Sequence, residues 1–166
     1  TQDQQYDLTF PMWAGIGLAY RDLLVDGLTM TVDATWTQWS ELAEIVRETE
    51  NELPLGMGSA DPGWDDTIEV GMGLDYRMSR STSLRVGYRN VPSPVDEEHY
   101  TVAFPQTAQE VVTAGLTYRS DTWHADVALE YGMGDTFTVP YQVNYDNNGK
   151  HVEDLMVVDL ALTFAF

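Results

Sequence analysis

Arg85 and Arg89 stand four residues apart in the alternating run Leu84-Arg85-Val86-Gly87-Tyr88-Arg89, so on an extended strand both guanidiniums leave the same face. Each offers paired donors to a carboxylate and could hold the acid group of a ligand. The competing reading is ion pairing with Asp75 or Asp126, which the same alternation puts on that face. Ion pairing is favoured, because inward acids outnumber inward Arg. Trp13, inward on the first alternating run, and Trp39, just past the second, could line an apolar path. Catalytic machinery is not legible. His99, His124 and His151 have no nucleophile motif beside them, and the absence of Cys excludes thiolate nucleophiles, disulfides and thiolate metal sites. Three scattered His leave no zinc constellation. Asp61, Asp65 and Asp66 in DPGWDD lack the spaced oxygen ladder of a calcium loop and read as a solvated acidic segment. Gly15-x-Gly17 and Gly71-x-Gly73 lack the third Gly and following helix of a dinucleotide loop; on a strand they leave room for a close neighbour or permit curvature. The expectation is a protein that is not an enzyme and uses no metal or cofactor.

The elements that must position these residues are strands. Apolar residues fall at every second position in seven runs, 8–20, 28–36, 68–76, 84–88, 112–118, 123–131 and 158–166, and no run has a helical period. The links alternate in length. Short turns at 22–27, 79–83 and 120–121 join strands one to two, three to four and five to six, while 41–66, 91–108 and 132–152 are long and hold most of the Pro and many acids. A meander with short turns at one end and long loops at the other is the arrangement of an outer-membrane barrel. No stretch approaches the roughly 18 to 20 apolar residues of a spanning helix, but a barrel strand needs only about 9 to 11. The 166 residues carry a net charge of −19, which repels a phosphate backbone and removes nucleic acid from the expected partners. Thr1 is preceded by no secretory signal, so a leader is expected to have been removed or the natural start to lie elsewhere.

Ring placement points the same way. Tyr20, Tyr76 and Tyr118 close strands that enter short turns, and Trp36, Tyr88 and Tyr131 lie towards the long-loop ends. Two interfacial girdles account for that; the alternative is the ordinary abundance of Tyr in strands. A soluble sandwich would alternate as well, with its apolar face packed on a second sheet. Against it, the other face carries Gly, Thr and charges of both signs: Asp33, Asp75, Arg77, Arg85, Arg89, Arg119, Asp126, Glu130 and Asp159. That composition suits a lumen.

Four stretches, FPMWAGIGLAYRD (10–22), LTMTVDATWTQWSEL (28–42), GWDDTIEVGMGLDYR (63–77) and SLRVGYRNVPSP (83–94), resemble the FadL-type outer-membrane transporters of long-chain fatty acids and, in the TodX branch, aromatic hydrocarbons. The resemblance rests on Trp39-Ser40, Trp64-Asp65-Asp66-Thr67, Leu84-Arg85-Val86-Gly87-Tyr88, Ser93-Pro94 and the loop Phe104-Pro105. It implies an all-β, antiparallel, up-and-down transmembrane β-barrel of fourteen strands with an N-terminal plug and a lateral gap. This chain departs in size, with about seven strands, half of that barrel. It is expected to be a single β-barrel domain over 1–166, the C-terminal half of a larger barrel, with neither plug nor gap strand. Both terminal strands run the same way, so two copies cannot close antiparallel; an N-terminal half or a partner chain is expected instead. Phe166, ending an apolar alternating strand, matches the terminal signal of barrel proteins and suggests an intact C-terminus. The resemblance further implies passive uptake of hydrophobic compounds in the bacterial outer membrane, with outer-membrane lipid outside and a hydrophobic small-molecule ligand inside. Arg85 and Arg89 would then meet a fatty-acid carboxylate, and Trp13 and Trp39 would line the path or pack on the plug. The alternative function is a structural or adhesive barrel with acidic surface loops.

Overall fold

The computed structural model describes residues 10–22, 24–41, 63–95, 99, 107–139 and 149–164. Its strands are β1 (Trp13–Arg21), β2 (Leu28–Thr37), β3 (Thr67–Arg77), β4 (Thr82–Val91), β5 (Gln109–Arg119), β6 (Trp123–Gly134), β7 (Phe137–Val139), β8 (Gly149–His151) and β9 (Leu155–Phe164). Seven of them form one sheet in the order β1-β2-β3-β4-β5-β6-β9, every pair antiparallel. These seven are 9 to 12 residues long, the length a tilted barrel strand needs. β7 and β8 form a separate two-stranded ribbon within the third long link, an addition to the seven expected strands. β1 starts at Trp13, later than the alternation suggests, for Pro11 has no N–H to give a ladder. Leu8, Asp61, Phe104, Pro105 and Phe166 lie outside the described residues.

No second layer covers the apolar face of the sheet among the described residues. Ile16, Leu18, Met72, Leu129 and Leu162 are exposed, and Leu18 and Leu160 reach 76%. Buried hydrophobic side chains there are confined to Val95, Val111 and Val139. A sandwich would bury this face against another sheet, whereas contiguous apolar surface on this scale calls for lipid as the neighbour. The opposite face is polar. Its central row runs Gly17, Asp33, Gly71, Arg89, Val111, Gly132 and Leu155, each directly paired with the next.

The register also orders the rings. The row of Tyr20 reaches Leu74 on β3, and Tyr76 lies two residues further towards the short turns. From Tyr76 the row reaches Leu116, with Tyr118 two residues beyond it. From Tyr118 it reaches Ala125, with Trp123 two beyond, paired with Phe164. The ring level therefore drifts by one residue per strand, about 3.3 Å along for about 4.8 Å sideways. If the rings mark one membrane plane, the strands lean roughly 35° from the normal, as barrel strands do.

The short turns are closed locally. Asp22 takes φ 56°, a left-handed conformation that a short polar side chain tolerates, and its Oδ1 accepts the Gly27 N–H across the turn at 2.6 Å. Ser79 Oγ accepts the N–H groups of Ser81 and Thr82 at 3.1 and 3.0 Å in the next turn.

Candidate functional site

Segments distant in sequence meet at the long-loop end. Residues 39–41 make a helical turn after β2, and the Trp39 indole N–H donates to Thr67 Oγ1 at 3.1 Å. Trp39 meets Trp64 edge to face, centroids 6.3 Å apart. The N–H and O–H of Ser40 both donate to Asp66 Oδ1, at 3.2 and 2.7 Å. The Asp65 N–H donates to the Pro94 carbonyl at 2.7 Å, and Trp64 bridges to Val95 as an isolated antiparallel pair. Val95 and Val139 are buried together with Trp64 against them, which pins the β7–β8 ribbon over this knot. The motifs Trp39-Ser40, Trp64-Asp65-Asp66-Thr67 and Ser93-Pro94 are thus parts of one fastening.

Beneath the knot lies a recess of ≈ 240 Å³ on the polar face, lined by Trp39, Val91, Pro92, Pro94, Thr107 and Gln109, with Thr37, Thr67 and Glu69. Trp13 pairs with Thr37 at its β1 side and stands 69% exposed. Further along the same face a shallower trough of ≈ 400 Å³ runs over Gly71, Gly73 and Gly87. A side chain there would have to displace a neighbour: a Cβ on Gly71 would stand 2.9 Å from the Asp33 carboxylate, and one on Gly87 would stand 2.6 Å from Thr113 Oγ1.

The two Arg are held by carboxylates on both sides. Arg85 Nε meets Asp75 Oδ2 at 2.8 Å and its Nη1 lies 3.7 Å from Asp126 Oδ1. Arg89 Nη1 meets Glu69 Oε1 at 3.2 Å and its Nη2 lies 3.7 Å from Glu130 Oε2. Each guanidinium reaches from β4 to a carboxylate on β3 and another on β6, over β5. Gly115, paired with both Arg85 and Ala128, leaves the space for Arg85 to do so. Ion pairing with Asp75 and Asp126 therefore holds for Arg85, whereas Arg89 uses Glu69 and Glu130. The Thr117 hydroxyl donates to Asp126, whose other oxygen lies 3.7 Å from His124 Nε2. A nucleophile would need its hydroxyl on the imidazole; here it is on the acid, so this trio is no catalytic triad.

Residues 1–160 match the family described as outer membrane protein transport protein (OMPP1/FadL/TodX). The chain belongs to this family. It is 33% identical over 92 residues to a Neisseria meningitidis serogroup B protein provisionally named an outer membrane protein, an alignment covering 52% of this chain and 20% of that one. It is 24% identical over 97 residues to the long-chain fatty acid transport protein of Escherichia coli O6:H1, covering 58% and 21%. The match spans about a fifth of the length of these relatives. The chain is thus an outer-membrane protein of a transport family. Of the residues singled out in the sequence, Trp39 lines the recess, Trp13 stands beside it, Arg89 is tied to its Glu69 wall, and Arg85 lies four residues further down β4. Thr107 and Gln109, also in the recess, carry no sequence signal that would select them.

Proposed function

We propose that this chain is wall and loop-end receptor in a passive outer-membrane route for hydrophobic compounds such as long-chain fatty acids or aromatic hydrocarbons. The observation that carries this reading is the recess under the Trp39 knot, an indole and two prolines facing a polar wall at the end where long loops meet the outside. Family membership and the printed name of the E. coli relative support it. Trp39 and Trp13 contact the ligand body, and Arg89 and Arg85 stand at successive depths below. Transport runs down a gradient and calls for no cofactor. β1 and β9 run in the same direction at the two sheet edges, so an antiparallel closure takes an odd number of further strands, supplied by the rest of a larger polypeptide or by a partner chain. The test is uptake of labelled oleate and toluene by an outer-membrane uptake mutant expressing the protein. Trp39→Ala should lower uptake per molecule of folded protein, the folded amount being measured alongside because Trp39 also belongs to the knot; equal uptake with and without the protein refutes the reading.

A second reading has an observation of its own. The two Arg clasps fill part of the polar face with ion pairs, as a structural barrel with acidic loops would. It predicts a protein whose loss weakens the envelope and leaves uptake untouched.

A further inference from the structure

Thr107 is 5% exposed, and its Oγ1 is, among the described residues, the buried side-chain polar atom that has no hydrogen-bond partner. A hydroxyl withdrawn from water without a replacement bond is destabilising, and native structures seldom leave one so. This one is not in an apolar core. Thr107 is one of the residues lining the ≈ 240 Å³ recess, with Gln109 beside it and Trp39, Val91, Pro92 and Pro94 as apolar walls; the hydroxyl oxygen itself has almost no open surface, so a ligand meets it only as the side chain turns towards the recess. Apolar walls with a few convergent polar groups are the make-up of a small-molecule site. The volume falls below the roughly 300–1,000 Å³ of pockets that enclose a drug-sized molecule, so it admits one end of a longer ligand.

Charge selects which end. Glu69 lines the recess and no described lining residue is a cation. Arg89 is already spanned by Glu69 and Glu130. A carboxylate entering here would lose water and face Glu69 with no cation to meet it. Resting on the uptake reading above, we infer that the recess binds the polar end of an uncharged amphiphile, an alcohol or a phenol, through Thr107 Oγ1, and discriminates against the fatty-acid anion.

The test compares decan-1-ol with decanoate, which share one tail, at alkaline pH where the acid is ionised. Equilibrium binding to the detergent-solubilised protein is measured alongside uptake of both by expressing cells. The wild-type protein should bind the alcohol at least about tenfold more tightly, reflecting the unpaired desolvated carboxylate. Thr107→Val keeps the shape, removes the hydroxyl and should weaken alcohol binding by about three- to tenfold, the worth of one neutral hydrogen bond, with decanoate unchanged. Glu69→Gln should narrow the preference from the decanoate side, which keeps the inference testable if the Thr107 variant folds poorly. Continued uptake with equal binding of the two ligands, or with Thr107→Val binding decan-1-ol as well as wild type, overturns the inference and leaves the uptake reading standing. Absence of uptake for both ligands by the wild-type protein overturns both.

Discussion

Val127 and Ala128 are neighbours on β6 that the sheet sends to opposite environments. Val127 lies midway between the rings of Trp123 and Tyr131 and shares its face with Leu116 and Leu160, its direct partners. Ala128 pairs with Gly115 and Asp159 on the polar face. Arg placed at a bilayer midplane costs about 2–4 kcal/mol, so Val127→Arg should lower the folding equilibrium by about 30- to 700-fold. Ala128→Arg meets the Asp159 carboxylate on one side and, over Gly115, the Arg85 guanidinium whose charge Asp75 and Asp126 already offset, and should change stability by less than about 1 kcal/mol. Folding of the protein into vesicles, titrated with urea and followed by gel mobility with and without heating, measures both. Equal penalties, or a larger one for Ala128→Arg, would refute the assignment of faces on which the lipid contact rests.

Other perturbations test the site and its supports. Ser40→Ala removes the hydroxyl donor to Asp66, leaving the backbone N–H in place, and should cost about 1 kcal/mol, with Ser40→Thr recovering most of it; the thermal midpoint of heat-modified mobility reports it. Gly134→Ala sets a Cβ against the Glu153 backbone, which cannot swing away, and should destabilise by about 1–3 kcal/mol. Gly71→Ala meets a movable Asp33 carboxylate at 2.9 Å and should be much milder in the same urea titration. Arg85→Met leaves Asp75 and Asp126 without their shared cation and should destabilise by on the order of 1 kcal/mol, while adding Asp75→Asn and Asp126→Asn should restore stability. A triple variant no more stable than Arg85→Met would show that the clasp is not what the Arg contributes.

Strands and faces were legible because period two is a local signal: every second residue from Ile68 to Tyr76 is apolar, and each lies on the exposed apolar face. Arg85 pairing with Asp75 and Asp126 was legible for the same reason, since parity alone put the three on one face. That Arg89 takes Glu69 and Glu130 instead was not, because the alternation puts these acids on the same face as Asp75 and Asp126, and only the registers of β3–β4, β4–β5 and β5–β6 assign each acid to its Arg. β7 and β8 are three residues each, too short to show any period. Trp39, Trp64 and Pro94 each read as fragments of a motif, and only the fold brings them to one knot. Thr107 had no signal at all, since an unpaired hydroxyl is a property of its surroundings.

The ring levels also decide how deep each part of the polar face lies. Trp123 and Tyr131 are eight residues apart, about 26 Å along the strand, and a lean of roughly 35° leaves about 22 Å along the normal, close to the ~25 Å apolar band of such barrels. Arg89 adjoins Tyr88 at the ring level of the long-loop end, and the recess lies beyond it. Arg85 lies four residues further in, near mid-depth, with Asp75 and Asp126 on either side. A hydrophobic molecule moving inward from the recess along this wall would have to pass two ionic clasps and the carboxylates of Asp33 and Asp159. Desolvating those groups is unfavourable. The inward path is therefore expected to follow surfaces other than this sheet. Cysteines placed at Thr113 and Ala128, modified by a bulky thiol reagent, should leave uptake nearly unchanged, whereas the same reagent at Gln109 in the recess should block it. A block at Thr113 as strong as that at Gln109 would put the path on this wall after all.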